Sequence, residues 1–411
     1  MCKKALKITI PITLFFLTVG FSQVNDEKLL AQFSPFLSKT YFNFNLGGIF
    51  YPFSNTHLAE GYSSDDIRLN PFSGRFLLGY KFNEDLAIQF GVTRPAAWVK
   101  YKNINGRAIE RSVWINIWSL SLKRYLNFNN RLSIYGEAGL GNLTRVGFSV
   151  GDDVVYPDAH YITPVFGAGI KYTLNKKWDF LLNSMYVPSS TKHNQPYIFQ
   201  QTVGLLYNLK QIPKEQAKEY TGDSGYFFPK RFIQVGYGSS SIGFFANRFF
   251  SMDAKIGNFD SFGIPIFWHG DSRAANTFMI SYQQTAFHTK KTFSLDWGVS
   301  ITGFQTIDTN TNVFALSVFP VLRFYVLRKS LLDMYLNYSV IGPAYISKKN
   351  IDGFETGPNL TYQDFMGIGA FVGKKRRLNI ELKIMHYSNG NLFTENAGVA
   401  IPLMINIGRT F

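Results

Sequence analysis

The sequence predicts an all-β protein made of two antiparallel eight-stranded transmembrane β-barrels in tandem. Apolar residues come in short alternating segments of about ten residues, which is the pattern of membrane-spanning barrel strands. Outside the N-terminus, no uninterrupted apolar run approaches the ~18 residues of a membrane-spanning helix. The chain is 46% hydrophobic and only 17% charged, whereas soluble domains carry about 25% charged residues. A soluble β-sandwich is the alternative, and it fits the pattern less well.

The N-terminus has the pattern of an export signal. Lysines precede a short apolar run over residues 8–21, and Gly20 and Ser22 supply small residues. We therefore predict a signal peptide over residues 1–22, cleaved on export. Cys2, the one cysteine, lies inside this segment, so the mature protein is expected to have no disulfide and no cysteine-bound metal. The histidines show no metal-ligand spacing, and neither a metal nor another cofactor is expected.

A first set of strand-like segments follows the signal and a short lead-in. Its connections alternate in length, with tight turns such as 83–84 and 127–130 and long polar loops such as 55–70. Short turns at one end and long loops at the other are typical of outer-membrane barrels. Residues 40–210 resemble the OmpA-type eight-stranded barrel domains in architecture, without a sharp motif. The predicted strands are 41–51, 73–82, 85–93, 112–126, 131–142, 161–174, 178–187 and 198–209.

Residues 211–224 are polar, charged and free of alternation, which predicts a linker or a short helix. A second set of segments then fills residues 225–411. The sixteen segments also fit one sixteen-stranded porin with an aqueous lumen, but the polar interruption midway favours two barrels. The terminal Phe411 resembles the recognition signal of the barrel-assembly machinery, which we expect as a partner. The predicted strands of the second set are 232–245, 276–287, 292–301, 313–327, 331–341, 362–372, 377–388 and 399–411.

The predicted strand 377–388 contains the residues that could take part in catalysis. Polar and apolar residues alternate along it, which predicts one interior face and one lipid-facing face. Glu381 and Lys383 belong to the interior face and are expected to pair inside a narrow barrel. His386 and Ser388 continue the apolar face and would project outward side by side. A histidine beside a serine is the arrangement of a base-activated nucleophile.

The segment HYSNG at 386–390, followed by NAG at 396–398, resembles the H-x-S-N…N-x-G pattern of the outer-membrane lipid A 3-O-deacylase family. The resemblance covers about 225–411 and implies an eight-stranded barrel with its active site on the outer wall. It also implies Ser388 as the nucleophile and His386 as the general base. Candidates to stabilise the oxyanion are Asn389, Gly390 and Asn396.

The chain departs from the family pattern at one position. The family usually has an acidic residue two positions after the N-x-G glycine, where this chain has Ala400. In serine proteases, loss of the orienting carboxylate's charge costs about 10⁴ in rate. Glu395 is the nearest acidic residue in the loop, and the hypothesis is that it orients His386 instead. Replacing Glu395 by glutamine should then lower the activity.

The sequence therefore predicts a serine esterase in the outer membrane of a Gram-negative bacterium, which removes an ester-linked acyl chain from the lipid A of lipopolysaccharide. The formal net charge of +15 suits contact with anionic lipid phosphates, and it fits equally well with ordinary solubilising charge on the loops. Nucleic acid is a poor partner for an exported barrel. The alternative is a non-enzymatic porin or structural barrel in which His386 and Ser388 have no catalytic role.

Overall fold

The computed structural model describes residues 30–222, 224–250, 255–256, 259–260, 270–393 and 395–411. This part of the chain is almost entirely β-structure and divides into two compact units, each centred on a closed eight-stranded antiparallel barrel. The predicted fold class is confirmed. The sixteen-stranded alternative is wrong, because each set of eight strands closes on itself through its own hydrogen-bonded ladder. The predicted signal peptide lies outside the described residues.

The first unit contains twelve strands. They are β1 (Thr40–Phe50), β2 (Ser64–Arg68), β3 (Phe72–Lys81), β4 (Leu86–Pro95), β5 (Val99–Ile104), β6 (Arg111–Asn127), β7 (Leu132–Val146), β8 (Phe148–Val150), β9 (Asp153–Tyr156), β10 (Ala159–Thr173), β11 (Trp178–Val187) and β12 (Ile198–Asn208). Eight of them close the first barrel in the order β6-β4-β3-β1-β12-β11-β10-β7, with β7 paired back to β6. Short additional strands extend its long connections: β2 pairs with β5, β5 with β6, and β8 with β9.

The tight turns of the first barrel are built on asparagine side chains. The Oδ1 atoms of Asn83, Asn129 and Asn175 each accept the backbone N–H groups of the residues two and three positions later. Such a side chain imitates a backbone turn and fixes where the chain reverses. The predicted short turns therefore have a local physical cause in the sequence.

The two faces of the first barrel differ in polarity. Leu46, Leu120 and Leu140 project outward and are exposed. Inside, Arg75 donates to Glu137, with a 3.2 Å contact between Nη1 and Oε2, and both side chains are buried. Buried charges require partners, and a polar interior inside an apolar wall is the pattern of a membrane-spanning barrel.

The described part of the second unit begins its regular structure with the helix α1 (Lys214–Gly222), which lies in the predicted linker. Its strands are β13 (Arg231–Ser239), β14 (Lys255–Ile256), β15 (Phe259–Asp260), β16 (Ser272–His288), β17 (Phe293–Thr306), β18 (Asn312–Lys329), β19 (Leu332–Ile346), β20 (Asn350–Ile351), β21 (Phe354–Glu355), β22 (Leu360–Val372), β23 (Leu378–Ser388) and β24 (Val399–Thr410). A short helix α2 (Phe245–Phe249) follows β13. The second barrel closes in the order β13-β16-β17-β18-β19-β22-β23-β24, with β24 paired back to β13.

Three predicted strands end five or six residues away from the observed end. Two stop five residues early, at 301 and 341, where β17 and β19 continue to Thr306 and Ile346, and one runs too far. The prediction ran from 232 to 245, but β13 stops at Ser239. The Ile242 N–H donates to the Ser239 carbonyl at 2.9 Å, and Gly243 has a left-handed φ of 92°. A turn closed in this way, with glycine at positive φ, ends the extended conformation.

The interior of the second barrel is filled by paired polar side chains. Arg323 donates to Asp296 and, through Nη2, to Gln283 at 2.9 Å. Lys383 Nζ lies 3.0 Å from Glu381 Oε1, and both side chains are buried. The predicted interior pair is confirmed. Within the described ranges, no helix is long and apolar enough to cross a membrane.

Candidate active site

The outward face of β23 is defined by its unbroken register with β22. The pairs run continuously from Val372↔Leu378 to Tyr362↔Ser388. Directly paired residues of adjacent strands share one face of the sheet, and the face alternates along each strand. Ile368 and Leu382 form one pair and are 43% and 39% exposed, which marks their face as the outer wall.

His386 and Ser388 have the same parity as Leu382 and therefore face outward. The opposite parity points inward, since Tyr387 Oη donates to the buried Gln363 at 3.3 Å. The predicted outward orientation of the pair is thus confirmed by the register. Two residues along a strand are separated by roughly 7 Å at their Cα atoms, so the two side chains are neighbours on the wall.

Both side chains are covered by other parts of the protein. His386 is 1% exposed and Ser388 is 6% exposed. The expectation that the pair lies open to lipid is therefore wrong. Water exclusion strengthens the electrostatic interactions of the groups at such a position.

Asp364 is the residue that the sequence analysis missed. It pairs directly with His386 across the β22–β23 ladder, and its Oδ2 atom lies 3.9 Å from Nδ1 of His386. The distance is longer than a hydrogen bond and within the range of an ion pair. Asp364 is 5% exposed. The sequence did contain a signal for Asp364. The residue has the same parity as Met366 and Ile368 in the predicted strand 362–372, which places its carboxylate on the outward face.

A distortion of β19 holds the Asp364 carboxylate. The register between β19 and β22 shifts between Ser339 and Gly342, and Ile341 has a left-handed φ of 58°. The Ile341 N–H consequently leaves the ladder and donates to Asp364 Oδ1 at 2.8 Å. A positive φ at a β-branched residue costs about 1–3 kcal/mol. Such strain and bulges occur next to functional sites, where they re-aim a backbone group.

Asn389 fixes the loop that follows Ser388. Its side-chain NH₂ group donates to the Thr356 carbonyl at 3.2 Å and to the Glu395 carbonyl at 2.5 Å. Its backbone N–H donates to Asn396 Oδ1 at 2.6 Å. Both hydrogens of the Asn389 side-chain amide are donated to backbone carbonyls, so Asn389 holds this loop in position. Gly357 must be glycine for this contact, because an added Cβ would lie 2.7 Å from the Asn389 amide nitrogen.

The remaining predicted site residues lie in the same loop. Gly390 directly follows Asn389 and has a left-handed φ of 63°. Asn396 uses its Oδ1 atom to accept the Asn389 N–H. Glu395 is exposed, whereas His386 is buried. The roles predicted for these loop residues stay predictions.

A neighbouring connection supports this loop through Asp352. The Asp352 carboxylate accepts the hydroxyls of Ser272, Thr306 and Thr309 at 2.8, 2.6 and 2.7 Å. Partial burial acts to raise the pKa of Asp352, but these hydrogen bonds outweigh it and hold the pKa below its ordinary value. The same connection contains Thr356, which Asn389 contacts. Asp352 therefore stabilises the segment on which the site loop rests.

His269, Asp271 and Ser272 are residue types of a catalytic triad, and the structure describes two of the three. Asp271 Oδ2 accepts the Gly398 N–H at 3.1 Å, and Ser272 donates to Asp352. His269 lies outside the described residues. In the part of the chain that the structure covers, no cluster of three or more histidine, cysteine, aspartate or glutamate side chains could hold a metal ion.

The apolar outer walls, polar interiors and closed ladders define an outer-membrane β-barrel protein. Residues 31–208 match the family model of the outer membrane protein β-barrel domain. Residues 276–404 match the family model of lipid A 3-O-deacylase (PagL), and this stretch contains His386, Ser388 and Ala400. Both predicted resemblances are confirmed. The second barrel is therefore PagL-like.

Several solved barrels are similar to parts of the chain. The outer membrane enzyme PagL is 14% identical, with 44% of this chain and 99% of that chain covered and a TM-score of 0.31. Neisserial surface protein A is 14% identical, with 41% and 97% covered and a TM-score of 0.28. The N-terminal barrel of Pseudomonas aeruginosa OprF is 13% identical, with 41% and 96% covered and a TM-score of 0.27. These scores are too low to carry a functional argument. No curated protein matches.

Proposed function

We propose that the second barrel is a serine esterase that removes an ester-linked acyl chain from lipid A in the outer membrane. The observation that carries the proposal is the position of Ser388 and His386, side by side on the outer face of β23. The match of residues 276–404 to the lipid A 3-O-deacylase model supports the choice of substrate.

In the proposed reaction, Ser388 attacks the carbonyl carbon of the ester. His386 takes the hydroxyl proton as the Ser388 Oγ–carbon bond forms, because a neutral serine is a weak nucleophile. The carbonyl π electrons move to the oxygen and give a tetrahedral oxyanion. Collapse of this intermediate breaks the ester carbon–oxygen bond, and His386 donates its proton to the departing lipid A hydroxyl.

A second round releases the fatty acid. The acyl chain is then bonded to Ser388 Oγ, and a water molecule that gives its proton to His386 attacks the acyl carbon. The second tetrahedral intermediate expels Ser388, which recovers its proton from His386. The products are a free carboxylic acid and lipid A with one hydroxyl in place of the ester.

Donors at the loop after β23 would stabilise the oxyanion. Preorganised N–H groups aimed at the developing charge are a large source of catalysis in acyl transfer. The backbone N–H of Gly390 and the side-chain amide of Asn396 are the candidates. Asn389 would act indirectly, because its bonds to Thr356 and Glu395 hold the loop in place.

The rival is a structural barrel without catalysis. It predicts that neither the serine nor the histidine matters for any chemical turnover. The porin form of this alternative also requires a conducting lumen, whereas the second barrel is filled by paired side chains such as Arg323 and Asp296. Ion conductance in planar bilayers would support the porin.

The test is release of fatty acid from purified lipid A by the full-length protein in detergent, followed by mass spectrometry of both products. The variants are Ser388→Ala and His386→Ala. We expect each to lose at least roughly 10³-fold in rate, since removal of a nucleophile or its base leaves little of the mechanism. Ser241→Ala, at an exposed turn after β13, is the matched control and should retain wild-type turnover.

Two outcomes would refute the proposal. A folded wild-type protein that releases no fatty acid from lipid A or from simpler esters is not this esterase. Turnover that persists in Ser388→Ala would remove Ser388 as the nucleophile. The electrophoretic shift on heating, which reports an intact barrel, separates loss of catalysis from loss of folding.

A further inference from the structure

We propose that Asp364 is the positioning residue that orients His386, and that it acts from β22, the strand on one side of β23. The inference deepens the proposed function and rests on it for its catalytic meaning. The position on the other side, on β24, is Ala400, which pairs directly with His386 and has no carboxylate. The acid that a serine–histidine pair needs is thus supplied by one neighbouring strand and lacking on the other.

The ladder gives this contact its geometry. Asp364 and His386 are direct cross-strand partners, and Oδ2 lies 3.9 Å from Nδ1. Contact at Nδ1 leaves Nε2 as the ring nitrogen that would accept the serine proton, as in a Ser-His-Asp triad. Catalytic contacts are often long before the substrate binds and shorten in the reacting complex.

The carboxylate is held in place by the backbone of a third strand. Ile341 donates its N–H to Asp364 Oδ1 at 2.8 Å, which leaves Oδ2 directed at His386. This bond exists because the β19 register is shifted between Ser339 and Gly342. A strained backbone that supplies one hydrogen bond to one buried carboxylate is the kind of support that fixes an orienting acid.

The surroundings of Asp364 make its charge effective. Both Asp364 and His386 are buried, and charges interact more strongly away from water. Besides His386, the phenols of Tyr338 on β19 and Tyr362 on β22 interact with the Asp364 charge. Glu395, the acid proposed from the sequence, is exposed. Asp364 is therefore the better-placed carboxylate.

The kinetic test compares Asp364→Asn with Asp364→Glu in the full-length protein. Asparagine keeps an oxygen for the Ile341 N–H and removes only the charge. We expect the kcat of Asp364→Asn for fatty-acid release to fall by roughly 10² to 10⁴, with KM nearly unchanged, because the residue orients the base without contacting the substrate. Asp364→Glu restores the charge and should retain more activity.

The matched control is Asp308→Asn, the same chemical change at an exposed position between β17 and β18. It should leave kcat unchanged. Near wild-type kcat in Asp364→Asn would overturn the inference. Equal losses in the asparagine and glutamate variants would also overturn it, because charge would then be irrelevant at this position. A fall in Glu395→Gln together with full activity in Asp364→Asn would assign the role to Glu395.

A second measurement does not depend on activity. The ¹⁵N chemical shifts of labelled histidine in NMR, with the His386 signals assigned by their loss in His386→Gln, report which ring nitrogen of His386 carries the hydrogen. We expect the Nδ1–H tautomer in the wild type and its loss in Asp364→Asn, because a carboxylate beside Nδ1 favours a hydrogen at that nitrogen. The same tautomer in both proteins would overturn the inference. If the tautomer changes but the wild type releases no fatty acid, the pairing stands and the proposed esterase fails.

Discussion

The ion pair inside the second barrel allows a quantitative test of what supports the site strand. Glu381 lies on β23, on the face opposite to the proposed site. Its Oε1 atom is 3.0 Å from Lys383 Nζ. Its Oε2 atom accepts the Tyr335 hydroxyl at 2.8 Å and the Asn337 amide at 2.7 Å. The perturbation is Glu381→Gln, which keeps the side-chain shape and removes the negative charge.

The expected loss follows from these contacts. If the glutamine oxygen occupies the Oε2 position, Tyr335 and Asn337 keep their acceptor. Lys383 then loses its anion, and its ammonium group is buried beside an amide NH₂. Breaking a buried ion pair by removing one partner costs about 3–5 kcal/mol. We therefore expect the free energy of unfolding to fall by about that amount.

The assay is urea-induced unfolding of the full-length protein in lipid vesicles, followed by circular dichroism, for a double-mutant cycle. The cycle consists of Glu381→Gln, Lys383→Met and the double variant. Because the double variant buries no unpaired charge, it should be more stable than Glu381→Gln, and the coupling energy should exceed about 2 kcal/mol. A loss below about 1 kcal/mol in Glu381→Gln, or additive effects in the double variant, would refute the reasoning.

Two further predictions concern the connection between β19 and β22. Asp352→Ala should speed hydrogen exchange at the Thr309 amide, which donates to Asp352 at 3.0 Å, by roughly tenfold at neutral pH. The pKa of Asp352 is lowered in the folded protein. Protection of the Thr309 amide in the wild type is therefore complete above the unfolded pKa of about 3.9, and it is lost as the pH falls through the pKa of folded Asp352. Equal exchange rates in both proteins at neutral pH would contradict this prediction. The second prediction concerns Lys348 and Lys349, which are exposed and could attract the phosphates of lipid A. At about 1 kcal/mol per lysine, replacing each by alanine should raise KM for lipid A by roughly fivefold at low salt and should leave KM for a phosphate-free ester unchanged. An equal rise in KM for both substrates would exclude phosphate contact.

Much of the fold could be predicted because its signals are local. Alternation along each strand specifies which residues share a face, and asparagines such as Asn83 and Asn129 fix the tight turns through their own backbone neighbours. The end of β13 at Ser239 was missed because apolar residues continue beyond the turn, at Ile242, Phe244 and Phe245. The predicted signal peptide and the predicted role of the exposed Phe411 in barrel assembly stay predictions.

The sequence by itself determined that His386 and Ser388 lie on the outer wall, because side-chain direction alternates with a period of two along any strand. Only the tertiary structure decided which carboxylate lies beside the histidine. Asp364 reaches His386 through the register between β22 and β23, and register is a property of two strands paired in space. The same is true of the covering of the site and of the Ile341 N–H that holds Asp364. Contacts across a ladder join residues distant along the chain, so local sequence does not specify them.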